Sequence, residues 1–153
     1  MTAMRGFTLI ELLLVLVILG ILSAFALPRF ASLGTDSRVA SLQGLMGALR
    51  SASATAHTLQ LSRGLGQNVA VTLEGQVVSM LNRYPTANAN GIGRALIAQG
   101  FTRTGGGAGA NAISNFGITG YTPASGQCRV RYQAANPAAG RPAPLLTLQT
   151  NGC

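Results

Sequence analysis

Residues 7–27 of the chain read FTLIELLLVLVILGILSAFAL, a run of 21 residues in which Glu11 is the one charged side chain. As an α-helix this run spans about 31 Å at a rise of 1.5 Å per residue, close to the thickness of the hydrocarbon core of a bilayer. A carboxylate inside such a helix costs roughly 2.5–3.5 kcal/mol on insertion scales. The run therefore predicts a membrane-spanning helix whose glutamate needs a counter-charge.

The residues in front of this run form a short basic leader that ends in Arg5-Gly6. A cut after Gly6 creates an amino group on Phe7, four residues ahead of Glu11, and this is the nearest counter-charge. A basic leader, a Gly-Phe junction and a glutamate in this order resemble the prepilins of the type IV pilin superfamily. The resemblance implies that a prepilin peptidase cuts between Gly6 and Phe7 and methylates the amino group of Phe7. It also implies that Glu11 meets such an N-terminus during filament assembly.

The resemblance extends from Gly6 to about Phe30 and includes Gly20 and Pro28. It implies that these two residues are weak points of the helix, where pilins lose regular hydrogen bonds inside a filament. Proline removes a backbone donor, and glycine lowers the helix propensity. The alternative is a smoothly kinked but continuous helix, which we expect for an isolated subunit. The leader of six residues has the length found in type IVa prepilins.

The N-terminus and its glutamate each have a second interpretation. Ala24-Phe25-Ala26 mimics the cleavage site of a conventional secretory signal, which would leave a mature chain beginning at Leu27. Glu11 would then have no role, and Pro28 would lie directly after the new N-terminus, so we favour the prepilin. For Glu11 itself, the alternative to a role in assembly is a side chain that snorkels to the membrane interface.

Past residue 30 the resemblance is weaker. Residues 40–57 and 71–86 are similar to the mannose-sensitive haemagglutinin subfamily of pilins. The pseudopilins of type II secretion systems share the N-terminal segment, but the major ones usually carry an acid-rich calcium loop and lack a C-terminal disulfide. Here Glu74 is the only acid after Asp36, and two cysteines follow it. These features favour a pilin, with a pseudopilin as the alternative.

The sequence stays helical beyond Pro28, because apolar or small residues recur at spacings of three and four. We predict one helix from Phe7 to about Leu61, apolar on all sides in its first half and amphipathic in its second. The predicted stripe consists of Val39, Leu42, Met46, Leu49, Ser53, Ala56 and Gln60.

After the stop signal Arg63-Gly64 the pattern changes to short strands separated by turn residues. The predicted elements are a hairpin of residues 68–73 and 76–81 around Glu74-Gly75, a helix at 90–99, a flexible loop at 104–110, and strands at 116–121, 128–133 and 145–150. The fold class is therefore α+β, a long N-terminal helix packed on a small antiparallel sheet of about four strands, which is the pilin fold. Its segments are the leader 1–6, the transmembrane or filament-core helix 7–27, and an amphipathic half-helix with a globular head at 28–153.

The charge of the chain is strongly basic, with eleven arginines against three acids. Such an excess attracts polyanions, although a solvated basic surface without a partner is the simpler interpretation. Arg129 and Arg131 are predicted to lie on the outward face of a strand, where a nearby exposed Tyr84 or Tyr121 would stack bases. Weak, non-specific binding of DNA or another polyanion is therefore a candidate property of this face.

The inventory of reactive side chains does not support an enzyme. The one histidine, His57, lies 21 residues from Asp36 on the same predicted helix, so the two are about 31 Å apart. Neither a Ser-His-Asp set nor a metal cluster can be assembled, and we predict no cofactor and no metal. Cys128 and Cys153 belong to an exported chain, and an oxidising compartment allows them to pair. We predict that they form a disulfide.

The sequence thus predicts a structural subunit that polymerises through its N-terminal helix into a type IV pilus, for adhesion, motility or related roles. An alternative of another class is a polyanion-binding or adhesin module displayed on a pilin stalk. Family membership implies a homopolymer that works with a prepilin peptidase, an inner-membrane platform, ATPases and an outer-membrane secretin. It also implies an inner-membrane location before assembly and an extracellular pilus afterwards.

Overall fold

A computed structural model of the chain describes residues 6–124 and 126–153, with the backbone alone for residues 27–32. The first five residues of the predicted leader lie outside the described residues. By their internal contacts the residues form two compact units, Met1–Ser37 and Arg38–Cys153. The elements of the fold are one long helix, a four-stranded sheet and two small hairpins. The predicted α+β class and the four-stranded antiparallel sheet are confirmed.

Helix α1 runs from Leu9 to Ser62, one residue past the predicted end. It includes Gly20 and Pro28 without a break, as expected for an isolated subunit. Its second half buries one face at spacings of three and four. Five of the seven residues of the predicted stripe are buried and Leu45 joins them, whereas Val39 and Met46 are half-buried. The buried residues of this face are Leu42, Leu45, Leu49, Ser53, Ala56 and Gln60.

Gln60 explains how a polar residue can lie in that stripe. Its side chain is completely buried, and its Nε2 donates to the carbonyl oxygens of Gly66, at 2.9 Å, and Val69, at 2.7 Å. A buried amide is tolerated when its donors are paired, because an unpaired donor would lose its hydrogen bonds to water. The amide therefore ties the loop after the helix to the last turns of α1.

The predicted hairpin is confirmed. Strands β1 (Val71–Leu73) and β2 (Gln76–Val78) pair antiparallel across Glu74-Gly75, and both turn residues have positive φ, 48° and 78°. This is the backbone that two-residue hairpins favour, because its twist matches that of the flanking strands. Val71 and Val78 pack with Ala56 of α1 in a small second core.

The prediction of one strand over residues 76–81 is wrong. The chain breaks at Ser79, whose N–H donates to Asn90 O at 2.8 Å, and it resumes as β3 (Met80–Leu81), which pairs with β4 (Tyr84–Pro85). Asn82 and Arg83 between them both have positive φ, a turn that the sequence does not announce with glycine. A second hairpin therefore follows the first directly.

The predicted helix over residues 90–99 is also too long, because α2 spans only Ile92–Ala95 and Leu96 is already extended. The helix has no side-chain cap, and Asn88 Oδ1 accepts a hydrogen bond from Gly91 N at 2.8 Å in the preceding turn. Ile92 is fully buried in the main core, so one short turn of helix is enough to anchor this segment.

The main sheet consists of β5 (Phe101–Gly105), β6 (Ile113–Ile118), β7 (Arg129–Gln133) and β8 (Leu145–Gln149), all antiparallel and in chain order. Strand β5 was missed: it lies between the predicted helix and the predicted loop 104–110, and it extends into that loop. The connection from β7 to β8 contains a single 3-10 turn, Pro137–Ala139.

One face of this sheet packs against the stripe of α1. Leu42 and Leu49 meet Phe116, Val130 and Tyr132, all of them buried, in the main hydrophobic core. Burying a leucine of this kind is worth about 1.5–3 kcal/mol. The Tyr132 hydroxyl donates to Pro85 O at 2.8 Å. Burial, with a smaller contribution from nearby Tyr84, raises the pKa of the Tyr132 phenol well above its usual value, so the hydroxyl stays protonated as a donor.

Candidate assembly segment and the outer sheet face

The first described residues lead directly into the apolar half of α1. Gly6, Phe7 and Thr8 are not helical, and the Phe7 side chain is 75% exposed. From Leu9 to Ala26 the helix has a mean hydropathy of 2.8, and none of this segment is buried. By length and composition it is able to cross a membrane. The predicted cleavage junction thus lies on exposed, non-helical chain immediately before the helix.

Glu11 lies in the first turn of α1 and is exposed. Its backbone N–H donates to Oγ1 of Thr8, at 3.3 Å, so Thr8 caps the helix. The spacing Thr8-x-x-Glu11 is that of a capping box, and a glutamate in a first turn also interacts favourably with the helix dipole. Sequence reasoning missed this signal. The bond uses the backbone N–H of Glu11, and the local interaction of its carboxylate is the one with the helix dipole, which does not depend on any neighbouring subunit.

The structure brings Cys128 and Cys153 together as a disulfide that spans 25 residues, as predicted. Around it, Arg38 of α1 donates through Nη1 to Cys153 O at 2.7 Å and lies over the Tyr121 ring, 4.2 Å from its centre. The Tyr121 hydroxyl donates to the carbonyl oxygens of Gly152 and Cys153, at 2.9 and 3.0 Å. The disulfide is therefore one part of a joint between the helix, the β6–β7 connection and the last residues of the chain.

Arg129 and Arg131 lie on the face of β7 opposite the buried Val130 and Tyr132, as the alternation predicts. Arg129 Nε donates to Oε1 of Gln149 across the strand pair, at 2.8 Å. Nε of Arg131 is buried and has no hydrogen-bond partner within the part of the chain that the structure describes. The two guanidinium groups are thus borne on one sheet face, two residues apart on a central strand.

The expected aromatic partners of these arginines each contact another side chain. Tyr84 is stacked on His57, with ring centres 4.3 Å apart, and Tyr121 is covered by Arg38. His57 Nδ1 lies 2.8 Å from Arg83 O, so the histidine is held in a structural contact. Both rings are half-buried instead of exposed, and base stacking beside Arg129 and Arg131 stays a prediction.

The remaining acids form no cluster. Among residues 6–124 and 126–153, no group of three or more His, Cys, Asp or Glu is arranged to hold a metal ion. Asp36 and Glu74 are both exposed. The features that could carry a function are therefore the apolar helix, the disulfide-closed head and the basic face of the sheet. The described residues contain no set of side chains arranged for catalysis.

Two comparisons with known proteins bear on the N-terminal segment. The family model of the prokaryotic N-terminal methylation motif matches residues 1–27. The type IV narrow pilus major component PilA5 of Thermus thermophilus is 50% identical over 52 residues, which are 34% of this chain and 45% of that protein. The match thus spans less than half the length of the curated relative. No solved structure matches the chain.

The motif and the pilin relative show that the N-terminal segment of the chain is similar to that of type IV prepilins. The similarity to mannose-sensitive haemagglutinin pilins stays a prediction, since neither match addresses that subfamily.

Proposed function

We propose that the chain is a structural subunit of a type IV pilus, held in a membrane by its N-terminal helix and then polymerised through the same helix. The observation that carries the proposal is the segment Leu9–Ala26, which is apolar on every side and has no buried residue. A helix of this kind is stable only in a membrane or among other apolar helices. A filament core of packed helices would supply the second environment.

Glu11 is the residue that such packing has to accommodate. Inside a filament its carboxylate loses water, and an uncompensated buried charge is costly. A cut after Gly6 would place a positive amino group on Phe7, and the Phe7 of a neighbouring subunit would compensate that charge. Pairing would also fix the axial position of each subunit, because a shifted subunit would leave its carboxylate unpaired. N-methylation of Phe7 keeps the positive charge and is part of the proposal.

This use of the helix implies the steps by which the subunit would reach the filament. The subunit would be inserted into the inner membrane, processed by a prepilin peptidase, and transferred to an extracellular pilus by a platform, ATPases and a secretin. These partners and locations rest on the resemblance. Gly20 and Pro28 are proposed as the places where α1 would lose hydrogen bonds within a filament, since proline lacks a backbone donor and glycine has a low helix propensity.

A pseudopilin of a type II secretion system is the nearest alternative. Against it stand the closed disulfide and the scarcity of acids, with Glu74 as the only one after Asp36. Deleting the gene separates the two functions. We expect cells without it to lose a class of surface filaments in electron micrographs and to regain them with the intact gene. Unchanged filaments together with a block in protein secretion would contradict the proposal and favour the pseudopilin.

A further inference from the structure

The face of the main sheet that is turned away from the core carries a groove of about 390 Å³. Its floor is formed by alternate residues of three strands, with Thr102 and Thr104 on β5, Asn115 and Gly117 on β6, and Arg129 on β7. The connection from β6 to β7, with Tyr121 and Gln127, forms a wall. We call this site the outer groove. Its volume is within the range of about 300–1,000 Å³ that is common for small-molecule sites.

We propose that the outer groove binds an acidic saccharide, a sugar unit that carries a carboxylate or sulfate group. This inference is independent of pilus assembly, because every residue of the groove belongs to the unit Arg38–Cys153. The proposal names the class of ligand that the basic face of the sheet would bind.

The charged part of the ligand is recognised by Arg129. Its Nε is held by Gln149, which fixes the plane of the guanidinium group while the terminal Nη atoms remain for a ligand. Planar carboxylates and sulfates are good acceptors for such a fork of donors. No acidic residue lines the groove among the residues that the structure describes, so nothing there competes with an incoming anion.

The hydroxyl groups of the ligand match the rest of the lining. Oδ1 of Asn115 and Oε1 of Gln127 are buried acceptors without a hydrogen-bond partner among the described residues. Rotation about the last side-chain bond, which is a broad torsion in amides, turns these oxygens toward donors in the groove. Sugar hydroxyls are donors of this kind, and the threonine hydroxyl of Thr104 can both donate and accept.

A nucleic acid fits the same groove less well. A phosphodiester backbone supplies acceptors, whereas the unpaired oxygens of Asn115 and Gln127 require donors. Single strands bind mainly by stacking bases on exposed aromatic rings, and Tyr121 is already covered by Arg38. The lining therefore favours a ligand that combines one anionic group with several hydroxyls.

Titration of the processed full-length chain in detergent micelles with a short oligogalacturonate tests the proposal. We expect saturable binding that a neutral maltooligosaccharide does not reproduce. Arg129→Gln should weaken binding about tenfold or more, because a hydrogen-bonded charge pair is lost. Arg131→Gln, which removes the same charge from the same face outside the groove, should weaken it no more than about fivefold.

Two further variants test how the shape of the groove and its hydrogen bonds contribute to binding, without a change in charge. Gly117→Val fills the floor of the groove, where a Cβ would meet only Cys128 O at 3.8 Å, and Thr104→Val removes one hydroxyl at an exposed strand position. Both should weaken oligogalacturonate binding while the thermal unfolding midpoint is kept. Equal losses for the two arginine variants, tighter binding of single-stranded DNA than of oligogalacturonate, or no binding at all would overturn the proposal.

Discussion

Replacing Glu11 with alanine is expected to abolish surface filaments or to reduce them sharply, while processed subunit still accumulates in the membrane. The junction Gly6-Phe7 is unchanged in this variant, so cleavage should proceed. Insertion should become easier, because a charge that costs roughly 2.5–3.5 kcal/mol is removed from the apolar helix. Assembly should fail, because the incoming subunit no longer has a carboxylate to pair with the amino group of Phe7.

The capping box of α1 requires a second variant. Alanine keeps the backbone N–H that donates to Thr8 but removes the carboxylate from the first turn of the helix, whereas Glu11→Gln keeps the side-chain shape and suits the same capping position. Both variants should lack filaments if charge pairing drives assembly. Leu14→Ala is the matched control, since it shortens an exposed side chain on the same helix without changing any charge.

Immunoblots of membranes report the amount and size of the subunit, and electron microscopy counts the pili. A normal number of pili in Glu11→Gln, together with their loss in Glu11→Ala, would assign Glu11 a helix-capping role instead of charge pairing. Normal pili in both variants would leave hydrophobic packing of the helices as the only assembly force.

Removing the disulfide is the change with the largest expected effect on stability. Serine at both Cys128 and Cys153 should lower the free energy of unfolding by about 3 kcal/mol, the chain-entropy contribution of a loop of this length. Urea unfolding of the detergent-solubilised chain, followed by circular dichroism, measures the loss. Cys153 also accepts a hydrogen bond from Arg38, so its release would loosen the contact between helix and sheet.

Arg38→Gln is the control for this experiment, because it removes the side-chain contact with Cys153 but keeps the covalent bond. It should cost roughly 1–2 kcal/mol, the sum of one hydrogen bond and the cation–π contact with Tyr121. Mass spectrometry with and without reduction shows whether the disulfide is closed in the exported protein. Two thiols that alkylate freely without reduction, or equal losses for the two variants, would contradict this role of the disulfide.

The elements that could be predicted from the sequence are those specified by residues close together along the chain. The stripe of α1 repeats within one helix, so its period predicts the buried face from Leu42 to Gln60 without knowledge of the sheet. The hairpin at Glu74-Gly75 is set by two turn residues. Alternation along β7 likewise predicts which face carries Arg129 and Arg131.

The errors occur where distant contacts decide the structure. Strand β5 exists because it pairs along its whole length with β6, and nothing within its own five residues requires a strand. The break at Ser79 depends on a hydrogen bond to Asn90, and the short α2 on burial of Ile92. The environments of Tyr84 and Tyr121 depend on His57 and Arg38, which are distant in sequence.

The residues of the candidate sites also differ in whether the local sequence predicts them. The cleavage junction, Phe7 and Glu11 lie within a few residues, so a local motif predicts them together. The capping contact of Thr8 was visible as a Thr-x-x-Glu spacing and was overlooked. The outer groove had no sequence signal, because it joins residues of three strands and a connection that the chain order separates.

The central claim is that this chain is processed after Gly6 and assembled through the helix that begins there. Mass spectrometry of the N-terminal peptide from filaments sheared off the cell surface tests it most directly. The account predicts a mature chain that begins with N-methylated Phe7 and retains Glu11. A mature chain that begins at Leu27 would contradict it, because the apolar helix and its glutamate would have been removed as a secretory signal.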